Sequence, residues 1–370
     1  MIRIIDTSFY SNGACNDLSA LIKLHETSQG YIEHLKGLAD IQVIKQLNGE
    51  GTKTLNGIKY TGFKSRNNFG HLPFKTIRYI KKEKPDIVIV QGLVFPLQVI
   101  WLRRKLGKRP VILVQHHGER PFKGIKGWLQ KKADRSIDGY LFTSIENAGE
   151  WTGQHIIAGE NKCFELLEAS THFKRLDKLQ CKQKVGLEGD HNFLWVGRLN
   201  AGKDPLTVVK AFEKYCAVNE EAKLFMIYQT EELLPEIKKL IEQNEVLAER
   251  IILKGTVPHE ELESWFNAAD FYISASHREG SGYALLEAMA CGCIPVVTDI
   301  PSFRKITGSG SYGFLYPPGN VNALLEVLER LNNIDRAKMS SGIIEYFKQS
   351  LSFKTIANSL YGICQKLKTK

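Results

Sequence analysis

The 370-residue chain has no long apolar run. Its most hydrophobic stretch, Ile87 to Leu102, is broken by Gln91, Gly92, Pro96 and Gln98. It falls short of the ~20 residues a membrane span needs. The opening residues, MIRIIDTSFY, are too short and too polar for a secretory leader. Secretion and integral membrane insertion are therefore not expected, while peripheral membrane contact stays open. Cysteine is sparse as well: seven residues, an odd set without the density of a disulfide scaffold, which predicts reduced thiols in a cytosolic setting. Cys291 and Cys293 look like a metal pair, yet no second Cys/His pair stands nearby at zinc spacing. Small residues at a helix–strand junction are the plainer reading. There is no collagen-like period, and no D-x-D triplet occurs anywhere.

What is present is ordinary in bulk and uneven in distribution. Hydrophobic residues make up 43% and charged residues 24%, the balance of a soluble globular protein. At ~100–200 residues per domain, the length predicts two or three domains. The net charge is +10. Residues 1–170 hold 25 Lys and Arg against 16 Asp and Glu, whereas residues 171–370 hold 25 against 24. The excess lies in runs such as Lys81-Lys82-Glu83-Lys84, Arg103-Arg104-Lys105 and Lys131-Lys132. These are either solvated helix faces or a surface for an anionic partner: membrane lipid, a phosphorylated substrate or nucleic acid.

Short β-branched runs alternate with longer amphipathic segments. The first half predicts strands at Ile2–Asp6, Ile41–Gln46, Asp86–Gln91, Pro110–Gln115 and Gly139–Thr143, with helical patterns near Leu18–Ala39, Phe74–Lys82 and Pro96–Leu106. The second half predicts strands at Phe193–Val196, Lys223–Tyr228, Arg250–Leu253, Phe271–Ser274 and Ile294–Val297, with helices near Pro205–Val218, Leu234–Gln243, Glu260–Ala268 and Tyr283–Cys291. Continuous apolar runs mark strands covered on both faces, and the alternation implies right-handed crossovers in parallel sheets. The pattern occurs twice, about a charged, turn-rich break near residues 174–192. The expected class is α/β, with two doubly wound, Rossmann-like domains facing across a cleft, over residues 1–175 and 190–350. A terminal helix at 351–370 is expected to cross back to the first domain. Ligands in such sheets bind beyond the carboxyl ends of the strands.

Two loops there carry chemistry. Phe193-Leu-Trp-Val196 runs into Gly197-Arg198-Leu-Asn-Ala-Gly202-Lys203-Asp204. The spacing is that of a phosphate-binding P-loop, but the Ser or Thr that would hold magnesium is replaced by Asp204, which would repel a phosphate. Arg198 and Lys203 remain as cations on a loop that opens a helix, a suitable place to neutralise a diphosphate. The alternative is a turn with surface charges. The second loop is Ser276-His277-Arg278-Glu279-Gly280-Ser281-Gly282, before the helical Tyr283–Ala290. Its glycines let backbone N–H groups approach a phosphate or sugar closely. Glu287 is the one charge in YALLEAMA, and a carboxylate there is costly unless something binds it. Glu279 and Glu287 suit sugar hydroxyls; one surface and one capping glutamate is the plainer reading.

The spacing Glu279-Gly280-Ser281-Gly282-x4-Glu287 resembles the E-x7-E signature of GT-B-fold retaining glycosyltransferases of family 4. The resemblance extends from the block at 193–204 to Pro295–Thr298 and to Gly313-Phe314-Leu315-Tyr316. It implies that Arg198 and Lys203 hold the diphosphate of a nucleotide-sugar and that Glu279 contacts the donor sugar. Gly280, Ser281 and Gly282 would wrap that sugar, Glu287 would bond the ribose, and Gly313, Phe314 and Leu315 would lie close to the nucleotide. In the first half, Pro110–Gln115 leads into His116-His117-Gly118. The family carries a histidine at the end of this strand, near the reacting sugar, and counted from the proline His116 takes the position. A His–His metal pair or a packed loop pair is the other reading. The family's glycine-rich first loop is represented here by Thr7–Ala14, with Gly13 its one glycine, and Gln229-Thr230 stands where a glycine is expected.

By this resemblance the chain is a cytoplasmic, NDP-sugar-dependent hexosyltransferase acting with retention. It would work in polysaccharide or glycolipid assembly on a glycan or lipid-linked acceptor, peripherally on an anionic membrane surface. Without a D-x-D, metal-independent transfer is expected, as is the absence of any cofactor or nucleic-acid partner. A GT-B-like sugar-nucleotide epimerase, a phosphorylase, and a non-catalytic GT-B binding subunit are the competing readings. No motif for the Schiff-base lysine of such a phosphorylase stands out, and a decayed donor site would mark the binding subunit.

Overall fold

Apolar runs become strands in two separate sheets. The computed structural model describes residues 1–12, 15–64 and 72–369. It divides into two compact units, residues 1–170 with 353–370, and residues 171–352.

The first unit holds β1 (Ile2–Asn12), β2 (Ala39–Leu47), β3 (Gly51–Leu55), β4 (Ile58–Lys64), β5 (Ile87–Gln91), β6 (Val111–Gln115), β7 (Gly139–Phe142) and β8 (Cys163–Glu165). Their order in the sheet is β3-β4-β2-β1-β5-β6-β7-β8. Every pairing is parallel except that of β3 with β4. Ile4, Ile5, Val88, Val90, Ile112 and Val114 are buried, because helices cover both faces of the central strands. Each such side chain contributes roughly 1.5–3 kcal/mol relative to exposure. The terminal helix Phe353–Lys368 belongs to this unit. Its Phe353 ring lies 2.5 Å from where a Cβ on Gly30 would stand, and Lys368 pairs with Asp86.

The second unit holds β9 (Asn192–Gly197), β10 (Lys223–Tyr228), β11 (Ile251–Gly255), β12 (Phe271–Ser274), β13 (Ile294–Thr298) and β14 (Phe314–Tyr316), in the order β11-β10-β9-β12-β13-β14, all parallel. Phe193 and Phe271 stack across β9 and β12 with ring centroids 4.8 Å apart. The charged stretch near 174–192 is not an open linker. Lys178–Val185 is a helix capped by Asp177, whose carboxylate accepts the Gln180 N–H at 2.8 Å. Lys178 pairs with the buried Asp270 at its start, and Lys184 donates to Ser264 on a neighbouring helix.

In each sheet the chain reverses its direction of growth once, between β1 and β5 in the first and between β9 and β12 in the second. The crevice beyond the carboxyl ends at such a point is where an open α/β sheet binds its ligand. The loop after β9 is the one with Arg198 and Lys203, and the loop after β12 is the one with Glu279. Among the described residues no helix is long and apolar enough to cross a membrane.

Candidate active site

The two loops of the second unit are joined through charged groups. Lys203 Nζ bonds Glu279 Oε1, tying the turn after β9 to the loop after β12. The His277 N–H donates to the Gly202 carbonyl at 3.0 Å, and His277 Nε2 meets Asp204 Oδ2 at 3.1 Å. Asp204 itself caps the helix Pro205–Cys216, accepting from the Thr207 N–H at 3.3 Å and its hydroxyl at 2.7 Å. Its carboxylate is thus committed to a helix start and a histidine, which explains an acid where a P-loop would carry a magnesium ligand. The Asp-Pro-x-Thr start was the signal for this cap. Arg198 is exposed and has no ion-pair partner among the described residues.

Gly282 sits at φ 66° at the N-cap of the helix Tyr283–Ala290. A Cβ there would stand 2.8 Å from Ile306 Cδ1, so glycine is required twice, by backbone and by space. With no side chain at the cap, the positive end of the helix is left for an anion. Ser302 fixes the approach to it, donating to the Glu279 carbonyl at 2.7 Å and lying 3.3 Å from that of Gly280. Ser281 is buried. Glu287, one turn into the helix, is only 6% exposed in its side chain and meets His259 Nε2 at 2.7 Å. His259 comes from another helix, His259–Ala268, and no sequence motif pointed to it.

Gly313, Phe314 and Leu315 lie at the sheet edge. A Cβ on Gly313 would stand 2.9 Å from the Pro295 carbonyl, a close approach that β14 needs in order to pair with β13. Phe314 packs under the Arg330 guanidinium, and Leu315 approaches Gly310. Gly13 lies outside the described residues.

In the first unit the histidine expected at the reacting sugar, His116, is turned into the core. It is 1% exposed, with its ring against Phe142 and Trp151 at 4.9 and 5.9 Å. Its Nδ1 accepts the Gly118 N–H at 3.3 Å, so Nε2–H donates to the Glu119 carbonyl at 3.0 Å. Successive side chains leaving a strand point to opposite sides, and it is His117 that reaches the polar crevice beyond β1 and β5. Its Nδ1 lies 2.8 Å from Glu168 Oε2, and Nε2 donates to Gln91 Oε1 at 2.9 Å. Burial alone would lower the His117 pKa; the carboxylates Glu168, Glu119 and Asp6 outweigh it and raise the value.

Gln91 passes the connection on, donating to Asp6 Oδ2 at 2.5 Å. Asp6 also accepts from Gln29 at 3.1 Å and Tyr31 at 3.3 Å. Burial raises the Asp6 pKa and lowers that of Lys45, nearby, to about 8. Glu119 braces both loops, accepting the Leu93 N–H at 3.0 Å and the His117 N–H at 2.6 Å. Sequence reasoning passed over Asp6, Gln91, Glu119 and Glu168; the signal for the first two was that they end the strands expected at Ile2–Asp6 and Asp86–Gln91.

Residues 177–349 match the family described as glycosyl transferases group 1. Among curated proteins, the chain is 20% identical over 269 residues to GDP-mannose:cellobiosyl-diphosphopolyprenol alpha-mannosyltransferase of Xanthomonas oryzae pv. oryzae, covering 69% of this chain and 68% of that one. It is 24% identical over 314 residues to alpha-monoglucosyldiacylglycerol synthase of Streptococcus pneumoniae, covering 78% and 69%. Among solved structures, sucrose-phosphate synthase from Thermosynechococcus elongatus superposes with a TM-score of 0.73 at 15% identity, over 99% of both chains. The Anabaena protein HepE in complex with UDP and glucose gives 0.72 at 14% identity, over 98% of this chain and all of that one. With its two parallel-sheet units the chain is a glycosyltransferase of the GT-B fold, and its second unit is similar to the group 1 family over residues 177–349.

Proposed function

We propose that this glycosyltransferase moves a sugar from a nucleotide-sugar to a glycan or lipid-linked acceptor, with retention of anomeric configuration and without a metal ion. The observation that carries the reading is the Lys203–Glu279 pair beside the uncapped start of the helix Tyr283–Ala290. It brings a cation, a carboxylate and a helix N-terminus together on the loops at the sheet's reversal point. There the donor diphosphate takes Lys203 and Arg198 as counter-charges, Glu279 turns to the sugar hydroxyls, and the Gly280–Gly282 backbone wraps them. Glu287, held by His259, accepts from the ribose hydroxyls.

The reaction then needs stabilisation of the departing diphosphate more than a protein base. Glu279 and Glu287 are each engaged by a basic partner, which does not suit the nucleophile-and-acid pair of a retaining glycosidase. Attack from the donor's front face, with the diphosphate taking the acceptor's proton, fits the same site. The acceptor is assigned to the first unit, at the crevice lined by Asp6, Gln91 and His117. Two relatives named for a diphosphopolyprenol-linked and a diacylglycerol-linked sugar favour a lipid-linked acceptor. The seven unpaired cysteines suit a reaction in the cytoplasm.

The test begins with a thermal-shift panel of nucleoside diphosphates and nucleotide-sugars. A binder at 100 times its Kd adds about 2.7 kcal/mol of stability. Transfer from the donor so found is expected to persist in excess EDTA and to yield a product whose anomeric proton coupling matches the donor's. Lys203→Ala is expected to lower kcat on the order of 10²-fold. Activity lost in EDTA and restored by manganese or magnesium would remove metal independence, and an inverted product would remove the front-face mechanism.

A further inference from the structure

We infer that the helix Gly124–Ala133 is a membrane-docking element, which sets its outward face on an anionic bilayer. The inference rests on the lipid-linked reading of the acceptor and locates the surface by which the enzyme reaches it. Most large apolar side chains of this unit are buried, yet Ile125 is 80% exposed and Trp128 55% exposed. They stand three residues apart, hence on one helix face. The opposite face anchors the helix: Gln130 and Ala133 are buried, and Gln130 donates to the Leu93 carbonyl at 3.0 Å and accepts the Phe122 N–H at 2.8 Å.

The charge around the two apolar residues has one sign. Residues 120–135 contain Arg120, Lys123, Lys126, Lys131, Lys132 and Arg135 against the single acid Asp134. Asp134 is buried and pairs with Lys162, so it does not offset the outward cations. Lys132 lies over the Trp128 ring, 4.5 Å from its centroid. A Trp and an aliphatic side chain ringed by lysines is the composition of a helix that lies in the headgroup region of a membrane. The same charge argues against a second copy of this face as the partner, since cation would meet cation. An exposed aliphatic beside the Trp favours lipid over nucleic acid, whose recognition relies on phosphate contacts and base stacking.

In the run 103–105, Arg103 is committed to its own unit: it pairs with Asp138 and donates to the carbonyls of Ser136, Gly107 and Pro110, closing the end of its own helix. The element proposed here follows the His116–His117 loop directly, so the bilayer contact and the proposed acceptor crevice belong to one unit.

The experiment is co-sedimentation of the full chain with phosphatidylcholine vesicles, with and without phosphatidylglycerol. Binding is expected only with phosphatidylglycerol, with a blue shift of the exposed Trp128 emission that Trp128→Phe abolishes. The double variant I125S/W128S and the double variant K131Q/K132Q are each expected to weaken partitioning at least ~10-fold. The altered side chains are exposed, so Tm is expected to stay unchanged. Equal binding by wild type and I125S/W128S, equal binding to neutral and anionic vesicles, displacement of the vesicles by an oligonucleotide, or lipid-free self-association lost in I125S/W128S would each overturn the inference. Vesicle binding is read without turnover. Its failure beside intact sugar transfer sinks this inference alone, whereas vesicle binding without transfer sinks the functional reading.

Discussion

At the scale of single residues, the decisive side chains of this glycosyltransferase are buried charges with a partner. Glu287 sits in an otherwise apolar helix with 6% of its side chain exposed, and His259 is the group that meets it. A carboxylate so placed is costly without such a contact, yet its second oxygen remains for a ligand hydroxyl. Glu287→Ala is expected to weaken binding of the cognate nucleoside diphosphate by roughly 1.5–3 kcal/mol, as for a hydrogen bond to a charged group, while leaving the fold intact. Isothermal titration with the nucleotide identified by thermal shift checks it; an unchanged affinity would take Glu287 out of the site. His117 and His116 divide in the same manner. His117→Gln, which keeps an N–H donor for the buried Glu168, is expected to reduce transfer with little change in Tm. His116→Ala is expected to lower Tm, since it removes a ring packed between Phe142 and Trp151. Activity and melting curves on the two variants separate the roles, and the reverse pattern would restore His116 as the reacting histidine.

At the scale of elements, the conformation of one glycine sets the proposed donor loop. Gly282→Ala places a Cβ in the left-handed region and against Ile306. It is expected to destabilise the protein by about 1–2 kcal/mol in urea unfolding and to weaken donor binding in parallel; a midpoint equal to wild type would show that the loop relaxes freely. This loop was legible in the sequence because both its glycines and its lone glutamate break an apolar pattern. The central strands were legible for a similar reason: DIVIV and VILV admit few other readings when the flanking segments are helical. The hairpin of β3 and β4 was not, because β3 is exposed throughout and has no apolar alternation to detect. Its single signal was Asn56-Gly57, both at positive φ, the turn that joins two antiparallel strands. The segment 18–39 read as one helix but forms Leu18–Leu24, Glu26–Gln29 and Tyr31–Leu35. One of its breaks falls at Gly30, where the Phe353 ring packs. That contact comes from the far end of the chain, beyond any local pattern. The choice between His116 and His117 was equally hidden, since it depends on where β6 stops and which way the next side chain points.

At the scale of the whole molecule, each unit carries a histidine that folding keeps neutral, and this sets how the protein responds to acid. In the second unit, His191 is 4% exposed. Its Nδ1 accepts from the Arg336 guanidinium and its Nε2–H donates to the Tyr215 hydroxyl, both at 2.6 Å. Burial first, and then the Arg336 charge, push its pKa down to about 4. In the first unit, burial and Lys45 bring His25 to about 4 as well. A histidine in the unfolded chain titrates near ~6.5. Between those values the unfolded state binds more protons than the folded one, so stability falls as the pH drops from about 6.5 towards 4. In the first unit Asp6 works the other way. Burial raises its pKa, so its ionisation opposes folding as pH rises, and acid relieves that penalty. No such group faces His191, whose neighbours are Arg336, Tyr215, Phe193 and Phe271, with Asp270 only partly offsetting the shift. The second unit therefore gives the clearer readout. His191→Asn keeps an acceptor for Arg336 near the Nδ1 position but cannot titrate. Wild type is expected to lose roughly 2–3 kcal/mol more than this variant between neutral pH and the folded pKa, measured as urea unfolding free energies at pH steps across that range. Parallel stability curves for the two proteins would mean that His191 is protonated in the fold, and that Arg336 turns away to allow it.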